Sequence, residues 1–339
     1  MASRADQMAS NLNLSKFGQA TELKNRIWFT IGALIIFRLL SFVPLPGVDP
    51  VAQAALYANN AAGGVLDIFN TFSGGSLERM SLIALGVMPY ITASIVVQLA
   101  ASLSPTLAAI KKEGESGRKK LNQYTRYGTV FLTAVQGYFL AAGLESLAAA
   151  NGISAVVEPG LMFRVVATIS LIGGTMFLMW LGEQITARGI GNGISLIIFV
   201  GIIAEVPAAI AQFFASGRSG AISPAVIVAV LAMVILTIMF VVFMERALRK
   251  IHIQYPRRQV GMKVYDGGSS HLPIKVNPAG VIPAIFASSL LLLPVTISTF
   301  SGNSTSPVMS WLLANFGPGQ PLYLLFFIAM IVFFAYFYT

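Results

Sequence analysis

From Ser223 to Met244 the chain reads SPAVIVAVLAMVILTIMFVVFM, with no charged side chain anywhere in it. A helix that crosses a bilayer needs about 20 predominantly apolar residues in a row, and this stretch supplies them. Similar runs recur on both sides of it, at 27–45, 81–103, 128–150, 161–182, 191–215, 278–300 and 319–339. With 223–244 they make about eight expected spans. The fold class read from them is an all-α polytopic membrane protein.

Composition agrees. Of 339 residues, 56% are hydrophobic and 10% charged, against about 25% charged in a soluble domain. So few charges cannot cover a water-facing surface. The chain has no cysteine, which excludes disulfides, thiol catalysis and Cys-ligated metal. No removable signal peptide is visible, because the first 26 residues are polar and lack an apolar core with a cleavage site.

The net charge of +9 reports topology first. With a cytoplasmic N-terminus, the inside segments are 1–26, 104–127, 183–190 and 245–277. They hold 18 of the 22 Lys and Arg residues; the outside loops hold Arg79 and Arg218, and Arg38 and Arg164 lie within spans. That asymmetry is a positive-inside signal. Two inside loops are large and basic. One carries Lys111, Lys112, Arg118, Lys119, Lys120 and Arg126. The other carries Arg246, Arg249, Lys250, Arg257, Arg258, Lys263 and Lys275, with a turn signal at Asp266-Gly267-Gly268. These charges either only fix topology or form a docking surface for an acidic or nucleic-acid-bearing partner. The length of 245–277 favours docking.

Outside loop 46–80 holds an apolar stretch, Val65 to Phe72, followed by Ser73-Gly74-Gly75. It is too short to span. It reads either as an interfacial helix or as a re-entrant piece shielded by protein. Pro89 falls within the second expected span, and Pro283 and Pro294 within the seventh; each is a bend or a loosened turn. Arg38 sits deep in the first span, where a cation costs about 2.5–3.5 kcal/mol. It either snorkels outward or faces a partner or a watery interior.

Catalytic chemistry is absent from the pattern. His252 and His271 are 19 residues apart in one loop, which is no metal spacing. The nearest approach to a phosphate loop, Gly114-Glu115-Ser116-Gly117-Arg118-Lys119, lacks the spacing and the Ser/Thr. Gly189-Ile190-Gly191-Asn192-Gly193 follows an apolar span and reads as a tight turn. Glu145 and Glu205 lie near the outer interface, whereas a proton-coupled transporter would place acids near the midplane. The sequence therefore implies no enzyme, cofactor or metal. A solute permease whose basic loops only set topology remains the alternative.

Two stretches are more specific. Ala84-Leu85-Gly86-Val87-Met88-Pro89-Tyr90-Ile91-Thr92-Ala93-Ser94-Ile95-Val96-Val97-Gln98-Leu99 and Trp180-Leu181-Gly182-Glu183-Gln184-Ile185-Thr186-Ala187-Arg188-Gly189-Ile190-Gly191-Asn192-Gly193-Ile194-Ser195 closely resemble signature segments of the SecY/Sec61-alpha family of protein-translocase channel subunits. Lys112 to Arg118, and His271-Leu272-Pro273 through Ala287-Ser288-Ser289, look like the same family. The resemblance runs from about residue 20 to the end.

That resemblance implies a SecY-type inverted-repeat helical bundle around an hourglass pore. The N-terminal half would be 1–215, and 216–339 an incomplete C-terminal half. The aliphatic pore ring maps to Val87, Ile91, Ile198 and Ile285, and the plug to about 64–76, with Leu66, Ile68, Phe69 and Phe72. This favours re-entrance for that segment. The lateral gate maps to Pro89, Ser94 and Gln98 on the second span and Ser289 and Pro294 on the seventh. Docking residues would be Lys111, Lys112, Arg118, Lys119, Lys120, Lys250, Arg257 and Arg258. Implied partners are SecE and SecG, the motor ATPase SecA, the ribosome with its RNA and proteins at the tunnel exit, signal sequences and nascent polypeptides, and membrane lipids, with SecDF and YidC as candidates. The implied location is the bacterial plasma (inner) membrane. The family carries ten spans and this sequence stops inside the eighth, so it reads as a fragment lacking the last ring position.

Overall fold

The structure is a computed structural model that describes residues 21–60, 70–71, 73–151, 155–220, 223–254, 258–260, 263–265, 269–280, 282–300 and 320–339. Its helices are α1 (Thr21–Leu40), α2 (Pro50–Asn60), α3 (Met88–Leu103), α4 (Pro105–Lys112), α5 (Glu115–Asn151), α6 (Leu161–Arg188), α7 (Gly193–Arg218), α8 (Pro224–Arg246), α9 (Ile282–Phe300) and α10 (Pro321–Tyr338). Four strands, β1 (Leu248–Gln254), β2 (Arg258–Val260), β3 (Lys263–Tyr265) and β4 (Ser269–Lys275), lie between α8 and α9. Among the described residues, α5, α6, α7, α8 and α10 are each long and apolar enough to cross a membrane. The bent pair α3–α4 makes a sixth candidate, and α1 and α9 occupy the first and seventh expected runs. The chain is an all-α polytopic membrane protein with two two-stranded antiparallel β-ribbons between α8 and α9.

The chain divides into two compact units, Met1–Pro207 with Ser288–Phe326, and Ala208–Ala287 with Phe327–Thr339. In the first, α5 packs on α6 and α3, α1 packs on α6, and α2 on α5. The small residues and threonines of these faces allow close approach, as membrane helices require. Thr129 and Thr133 are fully buried and return their hydroxyl protons to the carbonyls of Thr125 and Thr129. Gly174 has the Leu82 carbonyl where a Cβ would stand, so backbone touches backbone there. In the second unit, Phe286 meets Phe334 and Tyr338 edge-on at 5.7 and 5.5 Å. Helix α8 buries none of its side chains. Its apolar surface is satisfied by lipid or a partner.

Two expectations are corrected. The second span does not begin at 81: residues 81–87 form successive turns, and α3 starts at Met88. Gly86 at φ +56 and Met80 at φ +47 are the cause, since a left-handed residue cannot continue a right-handed helix. Pro89 therefore lies in the first turn of α3, where its missing N–H removes no hydrogen bond. Pro283 is likewise the second residue of α9. The interior prolines are Pro207 in α7, which the sequence reading passed over, and Pro294 in α9.

The basic segment 104–127 is not an open loop. It is helix α4, a corner, and the first turns of α5, with α3 and α4 bent 99° apart at Ser104. Gly114 turns the corner at φ +76, and at Gly117 a Cβ would collide with the Ile110 carbonyl. Each glycine of Lys112-Glu113-Gly114-Glu115-Ser116-Gly117-Arg118 thus has a steric reason.

β1 pairs with β4 and β2 with β3, both antiparallel, and both registers are symmetric about the point between residues 261 and 262. The turn signal at Asp266-Gly267-Gly268 lies outside the described residues.

Candidate pore, gate and docking sites

The buried segment 73–87 is the unusual part of the first unit. Ser73, Ser76, Leu77, Met80, Ser81, Ile83, Ala84, Leu85 and Val87 are all buried, yet none of Ser76 to Val87 is α-helical. Irregular backbone at such a place must find its hydrogen bonds in protein. Leu45 N donates to Met80 O at 2.9 Å, Leu82 N to Val43 O at 2.9 Å and Ser81 N to Ser76 O at 2.9 Å. The Asn70 side chain ties the preceding turn, accepting from Glu78 N at 3.0 Å. Gly74 and Gly75 take φ of +70 and +76. A Cβ on Gly74 would stand 3.0 Å from the Gly201 Cα of α7, so this turn lies directly against that helix.

Arg38 resolves here. It turns into the protein and does not snorkel: Nη1 donates to the Gly74 carbonyl at 2.6 Å, and the guanidinium lies 5.0 Å from the Phe42 ring centre. Arg79 covers the same ring at 4.5 Å, and Glu205 Oε1 approaches Gly75 from α7. A charge-assisted bond of this kind contributes about 1.5–3 kcal/mol. Arg38→Met is expected to destabilise the protein by that amount, read as a lowered melting temperature in detergent.

The ring candidates fall on three elements. Val87 and Ile91 are both buried and one turn apart, with Ile91 N donating to Val87 O at 3.1 Å. They share one face of α3. Ile198 is half-buried on α7, one turn before Gly201, and Ile285 is half-buried on α9 in the second unit. The plug candidates Leu66, Ile68, Phe69 and Phe72 lie outside the described residues. Of the gate candidates, Gln98 Nε2 donates to Ser94 Oγ at 3.0 Å along α3, and Ser289 is buried on α9. Pro294 is described only by its place in α9.

The second quoted motif builds the α6–α7 turn. Gly182 and Gly193 come so close that a Cβ on either would collide with the other segment. Thr186 Oγ1 donates to Gly182 O at 2.9 Å and accepts from Gly193 N at 2.8 Å. Asn192 caps α7, its Oδ1 accepting from Ile194 N at 3.1 Å. Arg126 of α5 grips Glu183 through Nη2 at 2.6 Å. The tight turn read from the sequence is present, with Gly191 at φ +71.

The docking candidates form two separate groups. Lys111, Lys112, Arg118, Lys119 and Lys120 are all exposed around the α4–α5 corner. Lys119 and Lys120 pair with Glu115 at 3.5 Å and Glu113 at 3.0 Å. Lys250 is exposed on β1. Arg258 opens β2 opposite Tyr265, and Arg257 lies outside the described residues. Alternation along the strands puts Lys250 on one ribbon face. Ile251, Leu272 and Ile274 lie on the other face and are about half exposed.

Several long apolar helices around a buried, irregular segment define the class as a polytopic membrane protein. Comparison with known proteins makes the assignment. A model of the SecY family matches residues 81–339. A protein translocase subunit SecY of Rickettsia bellii is 51% identical over 329 residues, covering 97% of this chain and 75% of the relative. That of Escherichia coli K12 is 51% identical over 325 residues, covering 95% and 72%. Among solved structures, a protein-conducting channel matches with TM-score 0.56 at 19% identity, covering 84% of this chain and 60% of that one. Sec61 in the canine ribosome–channel complex from the endoplasmic reticulum matches with TM-score 0.56 at 18% identity. The chain belongs to the SecY family of protein translocase subunits.

Proposed function

We propose that this chain is the central part of a protein-conducting channel that passes unfolded secretory polypeptides across the bacterial plasma membrane and releases apolar segments sideways into lipid. The observation that carries it is its 51% identity, over nearly its whole length, to protein translocase subunits. Val87, Ile91, Ile198 and Ile285 are its aliphatic waist. A narrow apolar constriction dewets and excludes ions, while flexible aliphatic walls adapt to any passing side chain. Residues 64–76 are the plug, hinged on Gly74 and Gly75.

Helices α3 and α9 are the lateral gate, with Ser94, Gln98, Ser289 and Pro294 near it. Substrate selection there is partitioning, worth about 0.3–0.6 kcal/mol per large apolar residue entering lipid. The two halves are 1–215 and 216–339, with the N-terminus cytoplasmic. The channel performs no catalysis of its own, so the driving energy comes from a partner, SecA or the translating ribosome. SecE and SecG complete the complex.

The reading is tested by complementation. A chimera joining this chain to the C-terminal quarter of the Escherichia coli relative should restore export in cells depleted of their own channel subunit. Full expression in the membrane without restored export would contradict it. The basic ribbon is the docking arm. Arg257→Glu with Arg258→Glu should weaken ribosome binding about tenfold or more at low salt, and the loss should shrink as salt rises. Unchanged affinity in a low-salt co-sedimentation assay would remove these residues from the contact.

A further inference from the structure

The sequence separates His252 and His271 by 19 residues, yet the β-ribbon places them directly opposite each other on β1 and β4. They are the only histidines of the chain. Their position in the ladder matters. Val276 N donates to Ala247 O at 3.1 Å, so the facing pair 247 and 276 is hydrogen-bonded. Pairs alternate along an antiparallel ladder, which makes 252 and 271 a non-hydrogen-bonded pair. Side chains approach most closely at such pairs. The imidazole centres are 5.2 Å apart, and both rings are exposed.

We propose that His252 and His271 form a two-imidazole site for a borderline divalent transition-metal ion of the Zn2+, Ni2+ and Cu2+ class, clamping the two strands of the ribbon. Two imidazoles on one tetrahedral ion, with metal–nitrogen bonds of about 2.0–2.1 Å, hold their ring centres about 5 Å apart. The observed separation matches. The rings now stand at 85° to each other. Rotation about χ2, a soft torsion in histidine, is enough to converge one nitrogen from each. Water completes the coordination from the open side.

The surroundings decide the ion class. On the same ribbon face the neighbours are Lys250 and Gln254 on β1, and Ser269, Pro273 and Lys275 on β4. None is a carboxylate, so hard cations such as Mg2+ and Ca2+ find no partner. The lysines repel any cation, which leaves only metals whose affinity for imidazole outweighs that repulsion. Binding would stabilise the paired ribbon in proportion to ion occupancy.

The test uses the whole chain in detergent without a polyhistidine tag. Titration with Cu2+ followed by electron paramagnetic resonance should show one bound equivalent with two equatorial imidazole nitrogens, displaced by excess Zn2+. His252→Gln and His271→Gln should each weaken binding by about tenfold or more, because the second ligand acts at high effective concentration. His271→Cys should retain Zn2+, since a thiolate replaces the imidazole, an effect no purely packing role would produce. A one-nitrogen spectrum, unchanged affinity in either glutamine variant, or loss with only one of the two would overturn the proposal. Far-UV circular dichroism of each variant separates loss of ligand from loss of fold.

Discussion

Gly193→Val is expected to leave little folded protein. Gly193 opens α7 where the chain doubles back on α6. A Cβ there would collide with the Gly182 carbonyl and stand 2.7 Å from the Ile185 Cβ. Neither obstacle is the tip of a flexible side chain. The Gly182 carbonyl is held by Thr186, which also receives the Gly193 amide proton. Relief would require separating two helices, so the cost exceeds the usual 1–3 kcal/mol of overpacking and is about 3 kcal/mol or more. Gly191 is the informative control. It has open space around it but φ +71, so Gly191→Ala should cost only about 1–2 kcal/mol from backbone strain. Thermal unfolding of the two variants in detergent should rank them in that order, and equal losses would contradict the steric account.

The second large effect is expected at Glu145. Its Oε2 accepts from Arg164 Nε at 2.8 Å and Nη2 at 2.6 Å, and its Oε1 accepts from Gly160 N at 2.9 Å. The carboxylate therefore joins the end of α5 to the start of α6 while sitting at the positive end of the α6 dipole. The Glu145 side chain is 10% exposed and that of Arg164 is 34% exposed. Removing one partner of a fully buried pair costs about 3–5 kcal/mol. Solvent screening of Arg164 lowers this to about 2–3 kcal/mol for Glu145→Ala. Adding Arg164→Met should return part of the loss, because no cation is then left without its acceptor. Melting temperatures of the two single variants and the double variant give the coupling, and strict additivity would show that the pair is not a unit.

The membrane class was legible because hydropathy is local: a run such as 223–244 carries its own evidence. The α6–α7 turn was legible too, since Gly189, Gly191 and Gly193 punctuate it in sequence. What could not be read was anything set by two distant segments. The run 81–87 is as apolar as a helix, and the left-handed Met80 and Gly86, with backbone bonds to Val43 and Leu45, keep it out of one. The basic segment 104–127 reads as a polar connection, yet Gly117 fits against the Ile110 carbonyl and makes it a helical corner. Arg38 and Gly74 are 36 residues apart, and nothing in either neighbourhood announces the other. The two histidines carry no metal spacing because ribbon register, not chain distance, brings them together. For the ring, the sequence supplied aliphatic residues at plausible places, and family resemblance chose among them.

The most direct test of the channel assignment is site-specific cross-linking to a stalled secretory chain. The protein has no native cysteine, so single cysteines at Ile91, Ile198 and Ile285 report without background. The assay uses the chimera completed with the C-terminal quarter of the Escherichia coli relative, with controls on the exposed face of α8 at Val228 and Leu236. The account predicts cross-links from all three ring positions to the passing polypeptide and none from the controls. Cross-links at Val228 or Leu236 with none at Ile91, Ile198 or Ile285 would contradict it.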